Sequence, residues 1–184
     1  MATYTSEGPL EFFGQTINNA LLSVVYFYDS STNASGGTVA EATFADTTNN
    51  SGKILKAVIF QGDAVNTSTT FGADVPDIII FKDNAKNQAT ITDPNAFVYF
   101  LDNAQNSSGS SIPKAFFSGN SKNSGTVTTE ATFADSSKNM AGAALQGTVK
   151  ITSPTVGLSG TIDAGASVQA IASYTVNSSV FAGT

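Results

Sequence analysis

Short apolar segments rich in β-branched and aromatic residues, such as Leu22–Tyr28, Ile54–Phe60 and Ile78–Phe81, alternate along the chain with clusters of Ser, Thr, Asn and Gly. Each apolar segment closes on a Phe, and an Asp or Gly two positions later opens the polar cluster. β-Branched and aromatic side chains suit a pleated strand, whereas Asp and Gly tolerate the unusual φ of a turn. The pattern therefore predicts a strand followed by a turn. Its form is Phe-x-(Asp/Gly)-x-x-x-Asn, with copies beginning at Phe27, Phe44, Phe60, Phe81, Phe100, Phe117 and Phe133. The third position holds Asp29, Asp46, Gly62, Asp83, Asp102, Gly119 and Asp135, and the copies end at Asn33, Asn50, Asn66, Asn87, Asn106, Asn123 and Asn139. No window keeps a 3.6-residue apolar period, so helix is expected to be minor.

A longer repeat overlies the short one. Phe27, Phe44 and Phe60 map onto Phe100, Phe117 and Phe133 with a constant offset of 73 residues, and their Asn partners obey the same offset. Residues 24–66 and 97–139 thus read as tandem three-strand modules joined by the unit at Phe81. After residue 144 the segments Gly147–Thr152, Thr155–Ile162 and Ser167–Val176 alternate small and apolar residues without the Phe motif. About ten strands in one domain of 184 residues suggest an all-β fold, an antiparallel two-layer β-sandwich of jelly-roll type. A β-solenoid is the alternative, because stacked coils also repeat Phe and Asn at fixed turns; the uneven spacing of the units speaks for the sandwich, since stacking tolerates little drift in coil length.

Composition narrows the chemistry. The chain has no Cys, His or Trp, which removes disulfides, thiolate nucleophiles, imidazole acid–base groups and the usual nitrogen and sulfur ligands of zinc or copper. Fourteen acidic residues face eight Lys and no Arg, a net charge of −6 that disfavours nucleic acid as a partner. Apolar runs such as Phe97–Leu101 are far shorter than the roughly 20 residues of a membrane-spanning helix. Charged residues are only 12% of the chain, so neutral polar groups must cover much of its surface.

Four constellations were weighed as sites. The Asp-to-Asn loops, such as Asp29-x-Ser31-x-Asn33, resemble the start of a calcium loop but hold one carboxylate each, too few for strong binding; Asx-turns, with side chains satisfying loop N–H groups, are the expected role. Glu41 and Glu130 share a sequence context, yet each lies three residues from a Phe and so on the opposite side of its strand. With Phe inward both face solvent, a poor setting for an acid–base pair. Ser111-Ile112-Pro113-Lys114 spells Ser-x-x-Lys, but Pro113 spoils the helix that nucleophile needs. Residues 1–16 carry Gly8-Pro9 ahead of Leu10, Phe12 and Phe13, and form either a covering strand or an arm that adds to a neighbour's sheet edge.

These observations lead to an expectation of no catalytic residues, no cofactor and no metal. The expected function is structural: a protein that self-assembles or decorates a larger assembly, with copies of itself or other shell proteins as partners. The start Met1-Ala2-Thr3-Tyr4-Thr5 lacks the basic and apolar regions of a secretory signal, so either the protein is made in a cytoplasm or a signal was removed and a start Met added; an intact natural Met1 would favour the expected setting, a virion exterior. An extracellular filament or biofilm-matrix subunit joined by strand exchange is the alternative, and a carbohydrate-binding module using Tyr in place of Trp is a third class.

Overall fold

The computed structural model describes residues 9–68, 78–171 and 181–182. Their secondary structure is entirely β, and every strand pairing among them is parallel. The expected antiparallel sandwich is therefore not what forms. The chain winds into a β-solenoid, the alternative reading, with ten successive coils stacked along one axis.

Each of the first eight coils contributes one longer and one two-residue strand. The longer strands are β1 (Leu10–Phe12), β3 (Leu21–Phe27), β5 (Thr38–Phe44), β7 (Lys53–Phe60), β9 (Ile78–Phe81), β11 (Phe97–Phe100), β13 (Ser111–Phe117) and β15 (Thr126–Phe133). The short ones are β2 (Ile17–Asn18), β4 (Thr32–Asn33), β6 (Asn49–Asn50), β8 (Val65–Asn66), β10 (Lys86–Asn87), β12 (Gln105–Asn106), β14 (Lys122–Asn123) and β16 (Lys138–Asn139). In coil nine the long strand breaks into β17 (Ala144–Leu145) and β18 (Thr148–Ile151), followed by β19 (Gly157–Leu158). Coil ten holds β20 (Thr161–Asp163) and β21 (Ser167–Ala170), and β22 (Phe181–Ala182) pairs with β20. The twenty-two strands, against about ten expected, form a 13-stranded sheet of long strands and a 9-stranded sheet of short ones.

The register explains the repeat. Phe12, Phe27, Phe44, Phe60, Phe81, Phe100, Phe117 and Phe133 are successive partners in the long sheet, so the same ring recurs in every coil at the same height. From Phe27 to Phe133 neighbouring ring centroids lie 4.6–5.1 Å apart with planes inclined by 3–11°. These seven rings are fully buried, and two residues earlier in each strand Val25, Ala42, Val58, Ile79, Val98, Ala115 and Ala131 line the same interior. Alternation along a strand makes this inevitable, because positions two apart share a face.

The spacing argument for a sandwich fails for a definable reason. From Phe to Asn the count is six residues in all eight copies, and this segment carries the turn and the buried side chains. The drift is confined to the return path, which takes nine residues from Asn18 to Phe27 but fifteen from Asn66 to Phe81. The strands on either side of the variable path stay in step, Phe60 with Phe81 and Asn66 with Asn87. The loop ahead of β11 still buries Ile91, whose N–H donates to Ser111 O at 2.8 Å. Pro113, buried in β13, stands at a register shift between Ile112 and Lys114, where a strand can dispense with one N–H.

Candidate functional site

Three columns of side chains run along the solenoid, and their geometry decides what its surfaces can do. The innermost polar column is asparagine. Nδ2 of Asn18 donates to Oδ1 of Asn33 at 2.8 Å, and the relay continues through Asn50, Asn66, Asn87, Asn106 and Asn123 to Asn139 at 2.8–3.0 Å. All seven bonds point the same way. Several members also accept a backbone N–H two residues on, from Ala20, Ser68, Ala89 and Gly125. The expected Asx role is thus present, but these side chains are buried inside the coil rather than spread through surface loops. The ladder needs close approach: a Cβ on Gly37 would sit 2.2 Å from Asn33 Oδ1. It ends at Asn139, where Leu158 occupies the next position and Nδ2 is left without a partner.

The second column marks the turn after each Phe. Asp29, Asp46, Asp83, Asp102 and Asp135 adopt φ of 53–58°, and Gly14, Gly62 and Gly119 adopt 65–69° at the equivalent place. Left-handed backbone costs an L-residue about 1 kcal/mol or more, and here each carboxylate offsets it by reaching one coil back. Asp29 accepts from Gly14 N–H, Asp46 from Asp29, Asp83 from Gly62, Asp102 from Asp83 and Asp135 from Gly119, at 3.0–3.4 Å. Asp135 also accepts the Ser118 hydroxyl, and these two donors hold its carboxyl below the ordinary aspartate value. Among the described residues no three acidic side chains gather into a metal-sized cluster.

The third column is the outward face of the long sheet. The residues before Phe12, before each of the seven buried Phe and before Ile151 give Glu11, Tyr26, Thr43, Ile59, Ile80, Tyr99, Phe116, Thr132 and Lys150 in register. Two residues earlier, Val24, Ala57, Ile78 and Phe97 are also outward, and Ile78 is 47% exposed. Outer rings touch: Phe97 with Tyr99 at 5.1 Å, Tyr99 with Phe116 at 6.1 Å and Phe13 with Tyr28 at 5.0 Å. A groove of about 140 Å³ crosses this face where Thr43 dips between Tyr26 and Ile59, and Glu41 and Ala57 also line it. Its sequence twin Glu130 lies five coils further on, roughly 24 Å away at the usual strand spacing, and bonds Lys150 at 2.5 Å. The structure does not bring the two carboxylates together.

Leu10 and Phe12 lie in β1 on their own chain's sheet, the covering-strand reading, and Phe12 stacks on Phe27 at 5.1 Å. Phe13 is 54% exposed. The sequence reading missed an eighth copy of the motif, Phe12-x-Gly14-x-x-x-Asn18, though its spacing was there to find. The sequence has five Asn-x-Ser/Thr acceptors, at Asn33, Asn49, Asn66, Asn106 and Asn177; Asn33, Asn66 and Asn106 are ladder members and fully buried, closed to a glycan in the folded state, Asn49 is half-buried, and Asn177 lies outside the described residues.

No family model matches the chain, and comparison with curated proteins and with solved structures returns no significant match.

Proposed function

We propose that this protein is a structural subunit: a short rigid rod that carries out no reaction and serves by its shape and by its repeated outer face. The observation that carries this reading is the unbroken filling of the interior by stacked Phe rings and relayed Asn amides over eight coils. Such an interior rigidifies, because each satisfied buried amide fixes its neighbours and misalignment of one coil would strand polar groups in both directions. It supports a mechanical role more directly than a catalytic one. The ionisable groups also fit this role: Asp29, Asp46, Asp83, Asp102 and Asp135 are used to close turns, and Glu130 and Lys150 pair across coils.

The setting we propose is the exterior of a virion, where rods of largely neutral polar surface decorate or cement a shell. An extracellular filament uses the same architecture, and the edge of β1, which among the described residues pairs with β3 alone, favours it as the second reading. Negative-stain imaging of purified protein with mass measurement separates the cases. Closed oligomers of defined size support decoration, and open fibres support the filament. Monomers at every concentration together with turnover of any substrate would overturn the structural reading.

A further inference from the structure

Building on the structural reading, we infer that the outward face of the long sheet is where a second copy of this chain docks, face to face. The centre of that face, Ile59, Ile78, Ile80, Phe97, Tyr99 and Phe116, is aliphatic and aromatic across four adjacent coils and half-buried or exposed. Charge lies around it: Glu11 and Glu41 towards the first coils, Lys114, Glu130 and Lys150 towards the last, and Lys82 on the turn side. An apolar aromatic centre within a charged rim is the anatomy of a protein interface.

Area and period select the occupant. Nine strands from β1 to β18 at about 4.8 Å apart give a face roughly 40 Å long, and five positions at about 3.3 Å give a width of about 17 Å. The product, roughly 700 Å², approaches the ~800 Å² that each partner buries in a stable complex. The end of the solenoid at the first described coil, with exposed Phe13, Ile17 and Leu21, offers only about 230 Å² for two sheets ~10 Å apart and seven residues long, too little by the same measure. The face is also corrugated every ~4.8 Å, and a second copy carries ridges with that same period over its whole length. A face without the period meets the ridges only locally.

The test is sedimentation equilibrium of the full chain beside Ile80→Lys and Phe116→Lys, made separately, with Gln105→Lys on the opposite sheet as control. Both test positions point outward, so far-UV circular dichroism and melting should match the wild type. The expected result is a wild-type dimer, an unchanged control, and at least tenfold weaker association in each test variant that folds. A wild-type assembly that survives both substitutions overturns this face as the contact and leaves the structural reading standing. A wild-type monomer overturns the docking of a second copy and leaves the structural reading standing, which falls only if turnover of a substrate accompanies it. A monomer that binds a polysaccharide through Tyr99 and Phe116, losing it in the Phe116 variant, overturns the second copy in favour of a glycan.

Discussion

Between Phe27 and Asn139 every coil fills the same two interior positions with the same two side chains; beyond them, Ile151 and then Ala170 follow Phe133, and Leu158 follows Asn139. The long strand breaks into β17 and β18 at this boundary, yet the direction of pairing does not change. β15, β18 and β21 pair in parallel register just as β5 and β7 do. Parallel pairing therefore survives the loss of both ladders, so the ladders are not what defines the coil path. They set how tightly adjacent coils are locked. The seam between the regions carries a visible penalty, the buried Nδ2 of Asn139 with nothing to bond, whereas an interior member such as Asn66 donates to Asn87, accepts from Asn50 and donates again to Ser68 O.

The sharpest way to break this contrast is at the rings. Phe81→Ala removes a fully buried ring stacked on both sides and should cost about 3–5 kcal/mol in urea unfolding. Phe12→Ala, at the half-buried end of the stack with one ring neighbour, should cost less than half of that. The amides give the next contrast. Asn66→Leu strands the Asn50 donor, while Asn87 Oδ1 keeps its bond from the Ala89 N–H, so about 1–3 kcal/mol is expected for the one ladder group left unpaired. Asn139→Leu removes an amide already facing Leu158 and unpaired at Nδ2, and Asn123 Nδ2, which loses its bond to Asn139, keeps the one to Gly125 O, so the change should stay within about 1 kcal/mol of the wild type.

Smaller effects sharpen the comparison at the surface. Asp135 has its carboxyl lowered by the Ser118 hydroxyl and the Gly119 N–H. A carboxyl depressed on folding adds stability above its unfolded value, near 3.8, and that increment fades as pH falls through the still lower folded value. Asp135→Asn should therefore lower the melting temperature at pH 7, with the difference from the wild type shrinking as pH falls below about 4. The smallest effect is expected for Glu130→Gln, which removes a partly exposed ion pair to Lys150; about 0.5 kcal/mol, vanishing in high salt, is the scale for such pairs.

Much of this architecture is legible in the sequence, at the level where side-chain chemistry is local. Phe closing each strand, Asp or Gly turning the chain and the inward burial of all seven rings follow from pleat alternation and from the tolerance of Asp and Gly for positive φ. Strand direction does not follow, because a Phe inside and a polar residue outside satisfy parallel and antiparallel pairing equally well. The discriminating signal was the constancy of six residues from Phe to Asn while the return path varied, since only stacking of like on like demands that constancy. In the sequence the asparagines look like turn residues because an isolated Asn is one; only repetition in register converts it into a buried relay. The outward face at Ile80, Tyr99 and Phe116 escaped notice because β-branched and aromatic residues on both sides of a strand read simply as strand propensity.

Parallel register is the claim on which the rest depends, and a chain without cysteine makes it directly testable by disulfide trapping. Gln105 pairs with Lys122 on the short sheet and Phe97 with Lys114 on the long one, both 17 residues apart. Cysteines at neighbouring parallel positions lie within bridging range. Two double variants, Gln105→Cys with Lys122→Cys and Phe97→Cys with Lys114→Cys, should each oxidise to an intramolecular bond identified by peptide mass. In an antiparallel hairpin, partner positions share a constant sum, so no single hairpin can bring both pairs together. Bridging in only one of the two folded variants would contradict the solenoid.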